Sequence, residues 1–119
     1  MVISIMQNPV LEAILGNRSA MLVLLFLENY GEGHASRICK TFDVALMGIQ
    51  RQLNRFETNG VLVSRRVGSS RLFSFNERNP TVRNLRKFLA EELEQLDRAD
   101  TERYFRQRQR PRRACKRLK

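Results

Sequence analysis

The stretch Phe42–Asn76, FDVALMGIQRQLNRFETNGVLVSRRVGSSRLFSFN, changes its hydrophobic period midway, and that change decides the fold. Ile49, Leu53 and Phe56 recur at spacings of four and three, which predicts a helix over about Ala45–Asn59 with those side chains inward. Gly60 follows, the residue type best suited to the left-handed position beyond a helix end. From Val61 the period becomes two. Val61, Val63, Arg65 and Val67 alternate with Leu62, Ser64 and Arg66. Gly68-Ser69-Ser70 turns the chain, and Arg71–Asn76 alternates again. Two alternating runs joined by a short Gly/Ser loop predict a β-hairpin.

On the amino-terminal side, Asn8-Pro9 marks a helix start, and the spacing of Val10, Leu11, Ile14 and Leu15 carries that helix to Gly16. A second helix is expected over Arg18–Tyr30. It is apolar on most sides, so it should be buried on most sides. Gly31-Glu32-Gly33 breaks it. A short helix over His34–Phe42 should face inward with Ala35, Ile38, Cys39 and Phe42, with Asp43-Val44 as a tight connection. On the carboxyl side, Asn79-Pro80 opens one long helix, expected to reach Tyr104. Val82, Leu85, Leu89, Leu93 and Leu96 form a stripe that Phe88 widens, with coiled-coil character. From Phe105 the chain reads as a polar, basic, disordered tail.

Composition bounds the partners. The chain has 119 residues and a net charge of +10. Met1–Asp97 holds 12 Lys/Arg against 10 Asp/Glu, whereas Arg98–Lys119 holds 10 against 2. The body is thus near neutral, and the excess sits at the carboxyl end, favouring a polyanionic partner. Met21–Leu27 is too short to span a bilayer, and Met1–Met6 lacks a basic region or cleavage site, so a cytoplasmic protein with no membrane partner is expected. Cys39 and Cys115 are far apart, with no CxxC or Cys/His cluster near either. This indicates neither a metal site nor a disulfide framework, and Cys39 reads as a small buried hydrophobe. No cofactor motif occurs. His34 is the single histidine, and Glu91, Glu92 and Glu94 are neighbours on one helix rather than a convergent pair, so no enzyme is expected.

Helix, helix, tight turn, helix, hairpin is the element order of a winged helix-turn-helix. The segment LNRFETNGVLVSRRVGSSRLFSFN resembles the ArsR/MarR-type regulators, whose pattern is a recognition-helix end L-x-R-L-E-x-x-G-L-V, a basic wing and an aromatic return strand. Phe56 stands here where Leu is usual before Glu57, and the resemblance runs from Asn17 to Leu89. It implies an α+β, mostly α fold: a dimer-associated amino-terminal helix (1–16), a DNA-binding domain (17–79), a long dimerisation helix (80–104) and a basic tail (105–119). It also implies double-stranded DNA as partner and a homodimer. The Cys pair of the metal-sensing members is missing, since only Cys39 lies in the first helix of the motif.

The outward face of the third helix then carries the expected contacts: Ala45, Met47, Gly48, Gln50, Arg51, Asn54 and Arg55. Arg reads guanine bidentately, and Gln or Asn reads adenine. Small residues at the helix start would let its backbone approach the groove. The hairpin tip offers Arg65, Arg66, Ser69, Ser70 and Arg71 to phosphates or a minor groove. A solvated helix face would account for Arg51 and Arg55 alone, but their place beside a basic tip favours DNA. The dimer contact is expected from Val82, Leu85, Phe88, Leu89, Leu93 and Leu96. A transcriptional repressor is the reading these residues favour. The alternatives are a winged-helix assembly module and an RNA-binding protein using its arginine-rich tail.

Overall fold

A computed structural model describes residues 6–107. The element order is α1 (Pro9–Leu15), α2 (Arg18–Tyr30), α3 (Ala35–Phe42), α4 (Leu46–Thr58), β1 (Leu62–Val67), β2 (Ser70–Phe75), α5 (Pro80–Glu94) and α6 (Arg98–Tyr104). Three helices start on an asparagine that supplies the missing acceptor for free N–H groups. Asn8 accepts from Leu11, Asn17 from Ala20, and Asn79 from both Thr81 and Val82.

Helix α2 is the centre. Every residue from Ala20 to Leu27 is buried, and α1, α3, α4, α5 and β2 all pack against it. Each of the larger side chains from Met21 to Leu27 contributes about 1.5–3 kcal/mol by leaving water. Among the described residues no single helix is long and apolar enough to cross a membrane.

Helices α3 and α4 are joined by a tight turn in which Asp43 takes a left-handed φ of 57°. Strands β1 and β2 pair antiparallel, with Val67 opposite Ser70 and Arg66 opposite Arg71, so the hairpin loop is Gly68-Ser69. The arrangement is a helix-turn-helix followed by a wing. Gly33 does more than break α2. Its N–H donates to the Phe73 carbonyl at 3.0 Å, and Phe73 N–H donates back at 2.8 Å, tying the α2–α3 loop to the wing. A Cβ at Gly33 would lie 2.4 Å from the Phe26 ring, so only glycine lets this backbone pass.

The carboxyl end differs from expectation in three ways. First, the long helix is broken. Helix α5 ends at Glu94, and Asp97 caps a separate α6 by accepting from the Asp100 N–H. Second, Phe105 is no tail residue. It is buried with Tyr104, and both rings pack on Phe42, at centroid distances of 5.4 Å for Tyr104 and 5.8 Å for Phe105. The Tyr30 hydroxyl donates to the Tyr104 carbonyl at 2.6 Å, and the Asn29 amide donates to the Phe105 carbonyl at 2.8 Å. The rest of the expected tail, 108–119, lies outside the described residues. Third, the apolar stripe expected over Val82–Leu96, most of it on α5, is largely used within one chain. Val82 and Leu89 are buried, and Leu85, Phe88, Leu93 and Leu96 pack half-buried on the same core. The stripe's apolar character follows from α5 lying on α2, so a charge at Leu89 would act on the protomer's own core before any partner. Cys39 is half-buried rather than buried, its thiol donating to the Ser36 carbonyl.

One ionic cluster fixes α5 from outside. Arg86 donates to Glu28 at 2.7 Å and to Glu77 at 3.0 Å, and its guanidinium lies over the Phe75 ring. The Glu28 hydrogen bond raises the Arg86 pKa, partly opposed by burial, with the charges of Glu28 and Glu77 adding to the rise.

Because Phe105 seals the core, Phe105→Ala should cost about 3–5 kcal/mol of stability, as buried Phe truncations do. Removing everything after Gln107 should leave the urea midpoint unchanged. A Phe105→Ala protein as stable as the wild type would show that this carboxyl-terminal strap does not seat on the core.

Candidate nucleic-acid interface

Helix α4 is held by Ile49, Leu53 and Phe56, all buried, so its opposite side is committed to solvent. Gln52 is a fourth inward residue. It is buried, and its carbonyl oxygen accepts from Arg55 Nε at 2.9 Å. The solvent side presents Ala45, Met47, Gln50, Arg51, Asn54 and Arg55, all exposed. Met47 is 68% exposed. Gly48 departs from this set. A Cβ there would stand 3.0 Å from the Ser19 hydroxyl, so Gly48 faces the start of α2 and permits close helix packing.

The wing stands beside α4. Between them lies an open cleft of about 500 Å³, lined by Gln50 and Asn54 from α4, and by Arg66, Ser69, Ser70 and Arg71 from the wing. The remaining wall comes from His34, Ala35 and Ser36 at the start of α3, with Leu46, Leu53 and Phe73. His34 is the N-cap position of α3 but makes no side-chain cap hydrogen bond; its Nδ1 lies 3.1 Å from the Ser36 hydroxyl. Sequence reading passed over Ser36 and this wall because nothing in periodicity brings the start of α3 to the wing. The Gly33–Phe73 bridge does so.

The arginines are not equivalent. Arg55 leans back on the protein, bonded to Gln52 and stacked 4.5 Å from the Phe56 ring centre. Arg65 points from the outer face of β1 to Glu32, at 3.2 Å. Both partners of that pair are largely exposed, so it adds little stability. Arg71 donates to Ser64 at 2.9 Å. Among the described residues, no hydrogen bond or ion pair engages Arg51 or Arg66. Arg51 therefore keeps its full set of donors free on the α4 face, and Arg66 keeps its own in the cleft. The arrangement can present amide and guanidinium donors from a helix of groove-compatible width, beside a second row of cations on a hairpin.

No protein-family model matches the chain, and no curated protein matches it. Among solved structures, it is similar to the AntR antimony-specific transcriptional repressor, with a TM-score of 0.54 and 22% identity, covering 74% of this chain and 80% of that one. It is also similar to the homodimeric winged helix-turn-helix DNA-binding domain of Mb0332 from Mycobacterium bovis, a possible ArsR-family transcriptional regulator. There the TM-score is 0.50 and the identity 21%, covering 71% of this chain and 77% of that one. These likenesses establish the winged helix-turn-helix fold.

The inward aspect of Gly48 can be tested by stability alone. Gly48→Val should destabilise by about 1–3 kcal/mol through overpacking, while Ala45→Val, at an exposed position, should not. Equal tolerance at the two positions in urea unfolding would place Gly48 on the solvent face after all.

Proposed function

We propose that this chain is a sequence-specific double-stranded DNA-binding transcriptional regulator, a cytoplasmic protein without catalytic activity that acts as a homodimer. The observation that carries this is the single cleft where Gln50 and Asn54 of α4 meet Arg66 and Arg71 of the wing. Helix α4 enters the major groove. Gln50, Arg51 and Asn54 reach base edges there, and Ala45 and Met47 meet thymine methyl groups. The wing, with Arg66, Ser69, Ser70 and Arg71, lies along the backbone or in the adjoining minor groove, whose potential attracts arginine. Arg65 and Arg55 contribute from the flanks of these two elements. The AntR neighbour is a repressor, and repression by covering a promoter is the simplest action for a protein of this shape.

The Mb0332 domain is homodimeric, which supports the dimer proposed here. The dimer surface combines α1 with the outer edge of α5. On α1, Val10 and Ile14 are 71% and 62% exposed on one face, one helical turn apart. Leu85, Phe88, Leu93 and Leu96 offer their half-buried edges. Two α4 helices would then meet successive major grooves about 34 Å apart. Antimony recognition is not carried over: among the described residues, no three His, Cys, Asp or Glu side chains converge as a metal site would require.

Arg51→Ala should cost about 1–3 kcal/mol of specific binding and relax preference at one base pair. The measurement compares wild type and variant on a duplex selected from a random library and on scrambled DNA. Unchanged discrimination for Arg51→Ala, Gln50→Ala and Asn54→Ala alike would remove α4 from the interface.

The residues after Gln107 include seven cations, Arg108, Arg110, Arg112, Arg113, Lys116, Arg117 and Lys119, and no acidic residue. Cations on phosphates carry no sequence information, so this segment adds affinity rather than sequence preference. If half of these cations engage, deleting 108–119 should flatten log K against log salt by about 3 units. Coincident slopes would make the segment a solubilising extension. Loss of sequence preference would instead assign it base reading.

A further inference from the structure

Helix α4 and the wing are joined by one polar chain. Glu57, in the last turn of α4, is half-buried, and its Oε2 accepts the Ser64 hydroxyl at 2.5 Å. Ser64 lies on β1 opposite Phe73, on the side of the strand that also carries Leu62. Its Oγ accepts in turn from Arg71 Nη1 at 2.9 Å. A hydroxyl has a single proton, so giving it to Glu57 leaves the Ser64 lone pairs for the guanidinium. The direction of the chain is set by the charges at its two ends, and charge-assisted bonds are the stronger kind.

The register gives this chain a task. Arg66 and Arg71 stand directly opposite each other across the hairpin, and like charges so placed repel. Both line the cleft beside Gln50 and Asn54. Without restraint the two guanidinium groups would splay apart and the wing could pivot relative to α4. The Glu57 carboxylate, acting through Ser64, holds Arg71 in place and leaves Arg66 without a protein partner among the described residues.

Resting on the DNA-binding reading above, we infer that Glu57 and Ser64 are positioning residues. They set the angle between recognition helix and wing and orient Arg71, so that Arg66 and Arg71 together receive one backbone phosphate while α4 lies in the groove. Neither residue touches DNA. Binding sites hold their geometry when supporting hydrogen bonds lock the contacting side chains, and this chain is that support.

The test uses Ser64→Ala, which removes the link, and Ser64→Thr, which keeps the hydroxyl on a strand-compatible side chain. In the free full-length protein, Ser64→Ala should speed hydrogen exchange of the β2 amides while Ser64→Thr should not. On a duplex selected from a random library by the wild type, Ser64→Ala should weaken binding about 3–10-fold, the size one hydrogen bond supports. That loss should vanish when Arg71→Ala is already present, and Glu57→Ala should behave as Ser64→Ala does. Wild-type exchange in Ser64→Ala would overturn the inference, as would a binding loss that persists undiminished in the Arg71→Ala background. If the wild type selects no duplex, the regulator reading fails, and the exchange measurement still decides whether the chain holds the wing.

Discussion

The buried helix α2 is the constraint on which everything else depends. Eight consecutive residues, Ala20 to Leu27, leave no side for water, so the other elements must surround it. Helices α1, α3, α4 and α5 and strand β2 all pack against it. Once α4 has given Ile49, Gln52, Leu53 and Phe56 to this centre, its remaining face is fixed without further choice. The proposed reading face is thus a by-product of core burial: Gln50, Arg51 and Asn54 are outward because their neighbours are inward.

The wing is positioned by shorter-range forces. The Gly33–Phe73 backbone bridge fixes its base to the α2–α3 loop, and the tolerance there is small because Phe26 fills the space a side chain would need. Farther out, polar contacts sort the arginines into those restrained by the protein and those left to solvent. Arg65 is drawn to Glu32, Arg71 to Ser64, and Arg55 to Gln52. Among the described residues Arg51, on the exposed face of α4, and Arg66, in the cleft, have no protein partner. A polyanion would repay that arrangement, since each phosphate neutralised releases counterions.

The elements whose identity rests on local chemistry were legible in the sequence. Asn8-Pro9 and Asn79-Pro80 mark helix starts, the period change near Gly60 marks the passage from α4 to hairpin, and the apolar run of α2 marks the core. Features that depend on distant packing were not. The stripe from Val82 to Leu96 has the spacing of a continuous helix, and only the capping Asp97 and the return of Tyr104 and Phe105 to Phe42 explain the break. Phe105 sits at the head of a basic run, so composition masked its burial. Gly48 looks like an opening for DNA when only its own helix is considered, yet it answers to Ser19 on α2. In the interface, Gln50, Asn54, Arg66 and Arg71 were expected from helical and strand phase. His34 and Ser36 came into the same cleft through a bridge that leaves no periodic trace.

We propose that α4 and the wing form one surface for duplex DNA. Titrating the isotopically labelled protein with a selected duplex, followed by amide and arginine side-chain NMR, tests this most directly. The largest shifts should fall on Gln50, Arg51, Asn54, Arg66, Ser69 and Arg71 together, at one common affinity. Shifts confined to the residues beyond Gln107 or to α1, with α4 and the wing unmoved, would contradict it.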